Sequence, residues 1–452
     1  MLLAGGLALA LAPAARADIL WFEAGGRVEL PAVSRGDVVS VEAPGGAVAF
    51  PREAFRKIVL ATTPAQEWPS RKRAAEAGAV PARFEAAWWA LEHGLTPEAG
   101  AMLRSAHTAD PSHEPTARMV VALDRLTRSR PDPDLAPIRK ALGGSFEEAR
   151  GPHVVLLHQH DPVEAAARVD LMERVVTTFL LTMAAWGIDL PVPAHRLPSA
   201  WFARQGDYLA FLQTDSGTAF RTTRGYYHPT LRLVIAYDAR DGEPQRPARE
   251  ALALARRRLS AVVGRPSGRL ELRNREVARR ELLFDQDCRS IDVSTAAHET
   301  IHQLVAATGL SPRPDALPVW LHEGLAMQFE VVRGGRWAGV GRVDDFRLPY
   351  WRKLDPPPRL SPLVRDVGFG HGYDPDRYAG AWALVYYLRK ERPREFLTFL
   401  DLLQAPASEP ADRPSRSLDA FRAAFGDDLE PLEADWRQFV NGLRLPGESD
   451  PR

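Results

Sequence analysis

The chain has almost no cysteine, no excess of either charge and no long hydrophobic run after its N-terminal region. Its single cysteine, Cys288 among 452 residues, excludes an intrachain disulfide and any metal site built from several cysteines. The 58 Lys and Arg residues balance 58 Asp and Glu residues, so no basic surface for nucleic acid is expected. No later apolar stretch reaches the roughly 18 residues that a membrane-spanning helix needs. A hydrophobic fraction of 45% is, however, enough for a sizeable globular core.

The first residues have the composition of a secretory leader. An apolar run beginning at Leu2 is followed by Ala15-Arg16-Ala17, the small-x-small pattern of a signal-peptidase site. We therefore expect residues 1–17 to be a signal peptide that is removed by cleavage after Ala17. The sequence predicts a secreted or periplasmic protein with no transmembrane segment beyond this peptide.

Changes of pattern divide the N-terminal third of the mature chain. Residues 18–60 alternate around Gly-containing turns, which predicts a small β module. Residues 61–128 repeat apolar residues at helical spacing, with Thr96 as a candidate N-cap and Pro97 at the first helical position. This region resembles one tetratricopeptide-type (TPR-like) helical hairpin, which could bind a protein partner or serve only as a packing spacer. The Pro-rich stretch at 129–150 is expected to be a linker.

The largest predicted unit, residues 151–445, begins with strands and continues with helices. HVVLLHQ at 153–159 has the pattern of a buried strand, and a long amphipathic stretch follows at 163–186. A Tyr-rich strand pattern occupies 224–238, and helical patterns dominate from about 246 onward. Strands first and helices afterwards predict an α+β domain with its sheet in the N-terminal half.

A candidate metal site lies in STAAHETIHQLVAATGL at 294–310. His298, Glu299 and His302 form the pattern H-E-x-x-H, and neighbouring apolar residues at helical spacing predict a helix that ends near Gly309. Histidines one turn apart project from the same helix face, so both imidazoles can bind one metal ion. Glu299 is then placed to act on a water molecule held by that metal.

Two histidines leave a third ligand to be found, and the next apolar helical stretch, PVWLHEGLAMQFE, supplies Glu323. This stretch resembles the W-L-x-E-G-x-A signature of gluzincin metallopeptidases, in which the Glu completes a two-His, one-Glu zinc site. Five residues match the signature position by position: Trp320, Leu321, Glu323, Gly324 and Ala326. The resemblance implies a gluzincin or thermolysin-like domain and one Zn²⁺ ion held by His298, His302 and Glu323.

The resemblance extends beyond the ligands. YAGAWALVYYL at 378–388 and the segment at 421–440 are similar to the gluzincin-like DUF1570 family of planctomycete-type bacteria, over about 151–445 in this chain. Some gluzincins place an acidic residue four positions after the Glu ligand, where it orients a histidine. Here that position is Met327, so the sequence identifies no such partner.

The resemblance implies a zinc-dependent metallopeptidase that hydrolyses a peptide or protein substrate. Glu299 would act as general base on the zinc-bound water and return the proton to the leaving amine. The oxyanion needs a further donor, for which Tyr378 is the first candidate and His371 the second, with Tyr373 also open. The alternative is an exported interaction or scaffold protein whose zinc site is structural or vestigial. An intact Glu299 favours catalysis, because a structural site would not need this carboxylate.

Other polar residues near these motifs are expected to have structural roles. His158 and His160 share one face of the first predicted strand of the large unit. Cys288 is expected to be a small buried residue. Asp292 and Ser294 are candidate N-caps of the metal-binding helix.

Overall fold

The computed structural model describes residues 18–43, 46–215, 223–261, 268–311, 317–369, 374–404 and 413–445. The predicted signal peptide at 1–17 and the candidate residues His371 and Tyr373 lie outside these ranges. Within them, none of the helices combines the length and the apolar character needed to cross a membrane.

A β module precedes the helices. Its six strands are β1 Asp18–Phe22, β2 Arg27–Leu30, β3 Ala32–Arg35, β4 Val38–Ala43, β5 Gly46–Pro51 and β6 Phe55–Val59. They form two antiparallel sheets with the orders β2-β1-β6 and β3-β4-β5. The Phe22 ring packs 5.4 Å from Phe50 and 4.8 Å from Phe55, between centroids. Alternation along the strands thus buries one side of each sheet, as the sequence pattern predicts.

Four helices follow: α1 Pro64–Glu76, α2 Val80–Leu91, α3 Thr96–Ala109 and α4 Glu114–Arg125. The expected pair of helices is α2 and α3, which pack against each other across a short turn. Thr96 is the first residue of α3 rather than its N-cap, a position that Leu95 occupies. The Thr96 hydroxyl is instead buried and lies 3.3 Å from the Thr178 hydroxyl of a later helix.

The expected linker at 129–150 contains a short helix, α5 Ala136–Leu142, and a strand, β7 Glu147–Arg150. β7 is the edge of a five-stranded sheet with the order β10-β11-β9-β8-β7. The remaining elements of this unit are β8 Val154–His158, α6 Pro162–Ala185, β9 Leu197–Phe202, α7 Gln205–Asp215, β10 Gly225–His228 and β11 Leu233–Tyr237. β8, β9 and β11 are parallel, whereas the edge strands β7 and β10 are antiparallel to their neighbours.

Both faces of this sheet are covered, which explains why its parallel strands are apolar throughout. On one face, Val154, Leu156 and Trp201 join a buried cluster with α6. On the other face, Leu157 and Ile235 join a second cluster with α5 and α7. The chain is therefore a mixed α+β protein, as the sequence predicts.

The helix that carries the H-E-x-x-H pattern is much longer than expected. After α8 Arg246–Ser260, α9 Gly268–Ala307 has 40 residues, or about 60 Å at 1.5 Å per residue. Its end is as predicted, because Gly309 has a φ of 77° and terminates the helix. The expectation that Asp292 and Ser294 are N-caps is wrong, since both lie inside α9. Asp292 instead accepts a hydrogen bond from the backbone of Ala239 and pairs with Arg168.

The remaining elements pack beside α9, mostly as helices. They are α10 Val319–Met327, β12 Val332–Arg333, β13 Arg336–Trp337, α11 Arg347–Trp351, α12 Leu360–Val364, α13 Pro375–Glu391, α14 Pro393–Gln404, α15 Arg413–Phe425 and α16 Glu430–Gly442. α13 is the centre of this layer and contacts α10, α11, α12, α14 and α16. One continuous buried cluster runs from α2 and α3 through α6 and α9 to these helices.

Candidate metal centre

The two histidines of the pattern lie near the C-terminal end of α9, where the helix packs against the five-stranded sheet. Gln303, beside His302, is 1% exposed, and its Nε2 donates to the backbone oxygens of Pro198 and Arg232 at 2.8 Å each. These two bonds fix the rotation of α9 against β9 and against the turn between β10 and β11. On the same part of α9, His298 and His302 face Glu323 of α10.

α10 carries Glu323. Contacts at its N-terminal end and along one face fix its position. Its N-cap residue is Pro318. The carboxylate of Asp366 accepts hydrogen bonds from the backbone N–H groups of Val319 at 2.8 Å and Trp320 at 2.9 Å, which have no partner within the helix. A Cβ at Gly324 would lie 2.8 Å from the backbone oxygen of Ala381 on α13. The signature glycine is therefore required by the close packing of α10 on α13.

Three side chains converge between α9 and α10. The Nε2 atoms of His298 and His302 are 3.0 Å apart. Glu323 places Oε2 at 3.2 Å from Nε2 of His298 and Oε1 at 3.6 Å from Nε2 of His302. Bonds of about 2.1 Å to a tetrahedral zinc ion separate two ligand atoms by roughly 3.4 Å. The two imidazoles and the carboxylate thus fit a zinc ion in both chemistry and spacing.

His298 has an acidic partner that the sequence did not reveal. Its Nδ1 lies 2.7 Å from Oε2 of Glu330, which follows α10. The other carboxylate oxygen of Glu330 accepts from Nε of Arg347 at 2.8 Å and also from its Nη2. Asp344 completes the group by accepting the backbone N–H of Arg347 at 2.9 Å. Because a carboxylate only accepts, Nδ1 of His298 donates and its Nε2 lone pair is left for the metal.

Neighbouring groups outweigh burial in setting the charge of two acids of the site. Burial would raise the pKa of Glu330, but the Arg347 charge and the His298 hydrogen bond hold it at about 2. Burial would also raise the pKa of Glu323, yet the imidazoles of His302 and His298 hold it well below its ordinary value. Both groups are therefore carboxylates at neutral pH.

Glu299 differs from these two acids. It is 9% exposed, and burial raises the pKa of its carboxyl above the ordinary value, although the His298 and His302 imidazoles partly oppose that shift. A carboxyl with a raised pKa is a better proton acceptor near neutral pH than an ordinary glutamate. The position after His298 and the environment of Glu299 both suit a general base.

The second histidine is held by stacking rather than by a carboxylate. The His302 ring lies 4.2 Å from the His322 ring, between centroids, with 20° between the planes. Its Nδ1 is buried and makes no hydrogen bond to any residue that the structure describes. Among the described residues, therefore, a carboxylate partners Nδ1 of His298 but not Nδ1 of His302.

The structure places Tyr378 near the start of α13, the helix against which α10 packs. The Tyr378 ring is partly buried and lies 6.0 Å from the Phe369 ring. His371 lies outside the described residues. The structure brings together three of the predicted site residues, His298, His302 and Glu323. Glu330 was not identified from the sequence. Its only signal in the sequence was its place shortly after Glu323 in the same apolar stretch.

Residues 292–411 match the model of a family described as "Protein of unknown function (DUF1570)". The match includes the end of α9 that carries the two histidines, all of α10 and Tyr378, and it covers less than half of the chain. A comparison with curated proteins found no match. The similarity thus supports the resemblance to DUF1570 that the sequence motifs suggested, over the segment that carries the metal centre.

Proposed function

We propose that the protein is a secreted or periplasmic zinc-dependent metallopeptidase. The observation that carries this proposal is the convergence of His298, His302 and Glu323 beside Glu299. When bound there, zinc would supply a Lewis acid that polarises a carbonyl and makes a water molecule more acidic. A purely structural site would need the three ligands but not a further buried carboxyl next to them.

The reaction proposed is hydrolysis of a peptide bond. Glu299 accepts a proton from the attacking water as a bond forms between the water oxygen and the carbonyl carbon. It then gives that proton to the leaving amine as the C–N bond breaks. Glu330 keeps His298 in one tautomer and orientation throughout. We assign Tyr378 as a donor to the oxyanion, with His371 as the second candidate.

An extended substrate has a strand to bind beside this site. β10 is an edge strand that, within the described chain, pairs only with β11. A Cβ at Gly225 in β10 would lie 2.9 Å from Cγ2 of Thr295, and Thr295 lies one helical turn before His298. A peptide that adds to the outer edge of β10 would therefore run along the candidate metal-binding helix, as in other strand-addition modes of peptide recognition.

The N-terminal units then have an accessory role. We propose that residues 151–445 form the metallopeptidase unit, whereas the β module at 18–60 and the TPR-like helical region at 61–128 serve localisation or substrate delivery.

The proposal is tested by metal analysis together with a proteolysis screen on the purified full-length chain. Unfolded proteins and quenched peptides should be cleaved, chelator should abolish cleavage, and added zinc should restore it. His298→Ala should lose both zinc at this site and cleavage, whereas His195→Ala, at an exposed histidine, should lose neither. A zinc-loaded chain that cleaves nothing across the panel would favour the scaffold alternative.

A further inference from the structure

A second group of potential metal ligands lies outside the H-E-x-x-H site. His160 follows β8, Asp238 directly follows β11, and Glu164 lies in the first turn of α6. One potential ligand atom from each side chain lies within 4.8 Å of the other two. The group combines an imidazole with two carboxylates, a donor set that suits first-row divalent cations.

The sheet topology brings these residues together. Since β8, β9 and β11 are parallel, their carboxyl ends share one edge of the sheet. His160 and Asp238 both lie at that edge, and the N-terminal turn of α6 adds Glu164. In open sheets with parallel strands, ligands bind outside the carboxyl ends of the strands.

His160 has an unusual environment for a buried histidine. Its side chain is 4% exposed, and neither Nδ1 nor Nε2 makes a hydrogen bond to any part of the chain that the structure describes. The nearest acidic atom is Oδ2 of Asp238, 3.5 Å from Nε2, which is longer than a good hydrogen bond. By contrast, Nδ1 of His153 in the same region donates to Oε2 of Glu173 at 2.8 Å. Buried polar nitrogens without partners are rare in native proteins, so His160 indicates a ligand.

We propose that His160, Glu164 and Asp238 form a second metal site, which binds a divalent first-row cation such as Zn²⁺ or Mn²⁺. The imidazole of His160 and one oxygen from each carboxylate are the ligands. Glu164 is exposed, so water can complete the coordination from the solvent side.

The hydrogen bonds and ion pairs around the group agree with cation binding. Oδ1 of Asp238 accepts the backbone N–H of Arg240 at 2.8 Å, which leaves Oδ2 facing His160. The positive charge of Arg168 is paired with Asp292 at 3.2 Å. Asp238 and Glu164 thus offer two negative charges to a cation.

The experiment is a titration of the metal-stripped full-length chain with Zn²⁺, and separately with Mn²⁺, by calorimetry. The wild type should bind two equivalents of Zn²⁺, and His298→Ala should keep one. In the His298→Ala background, His160→Ala should abolish the remaining equivalent. Glu164→Gln in that background should weaken it at least about tenfold, since it removes a ligand charge rather than an outer partner. His195→Ala, at an exposed histidine, should change neither equivalent.

Circular dichroism and the thermal midpoint establish that each variant is folded. Because Glu164 is exposed, Glu164→Gln tests the site even where a substitution at buried His160 prevents folding. The proposal is overturned when His298→Ala binds no cation, or when the remaining equivalent is insensitive to both Glu164→Gln and His160→Ala. Either result leaves the first metal centre and its proposed peptidase activity unaffected.

Discussion

Nδ1 of His298 lies 2.7 Å from Oε2 of Glu330, a residue that follows the helix carrying the third candidate ligand. This contact supplies the acidic partner that is absent at Met327, where the side chain is fully buried in the core. Arg347 holds the other oxygen of Glu330, so the carboxylate is fixed before a metal binds. A metal-binding histidine oriented in this way loses little freedom when it binds.

Glu330→Gln should lower zinc affinity at the first centre by about 10- to 100-fold, the range typical for partners behind a ligand. The amide oxygen can still accept from Nδ1 of His298, but the negative charge that makes the imidazole more basic is lost. Competition with a zinc-binding dye measures the affinity. Glu250→Gln, at an exposed residue of α8, is the matched control and should have wild-type affinity. Unchanged zinc affinity in folded Glu330→Gln would show that the contact between Glu330 and His298 does not affect zinc binding.

Gly324→Ala should destabilise the protein by about 1–3 kcal/mol, since the added methyl forces α10 away from α13. The same displacement moves Glu323, so zinc affinity should fall as well. Urea unfolding of the metal-free chain measures the first effect. Gly442→Ala at the end of α16 is the control, because its Cβ would meet no atom within 4 Å. Equal unfolding midpoints for the two variants would contradict the role given to Gly324.

Cys288 should be unreactive in the native chain. The residue is fully buried, and burial raises the pKa of its thiol to about 12. A thiol-specific reagent at pH 8 should therefore react only after unfolding in urea. The raised pKa also stabilises the fold below the ordinary pKa of a thiol, and that contribution is lost as pH rises toward about 12. Rapid labelling of the folded chain would show that this part of α9 opens locally.

Tyr378→Phe should lower the turnover number for a cleaved peptide by about 10²- to 10³-fold, the usual effect of losing one oxyanion donor. Zinc content and thermal midpoint should stay at wild-type values, because the ring is retained. Tyr386→Phe, on the same helix, is the control and should keep full activity. Wild-type turnover in Tyr378→Phe would remove Tyr378 from the mechanism and leave His371 as the candidate.

Helical periodicity was enough to predict how the first two candidate ligands meet. His298 and His302 are one turn apart, so their common face follows from the backbone geometry alone. Glu323 was recognisable only through the signature around it, because the distance between two helices is not encoded in spacing. Sequence patterns likewise predicted the mixed α+β class, the helices α2 and α3, and the burial of Cys288.

Long-range contacts explain what the sequence did not reveal. α10 ends at Met327, so helical spacing could not place Glu330, which is fixed instead by Arg347. The start of α9 was missed because its first part is highly charged and packs against the β module through Leu282 and a few neighbours. His160 and Asp238 lie close together because the parallel strands β8 and β11 belong to one sheet, although these strands are far apart in the chain.

The most direct test of the proposed mechanism is the rate of peptide cleavage by Glu299→Gln at zinc loading equal to that of the wild type. The substitution preserves size and helix packing but removes the proton acceptor, so folding and zinc content should not change. Turnover should fall by at least about 10²-fold, since general acid-base catalysis typically contributes 10²- to 10⁴-fold. Cleavage at the wild-type rate by zinc-loaded Glu299→Gln would contradict the proposed mechanism, because Glu299 would then not be the general base.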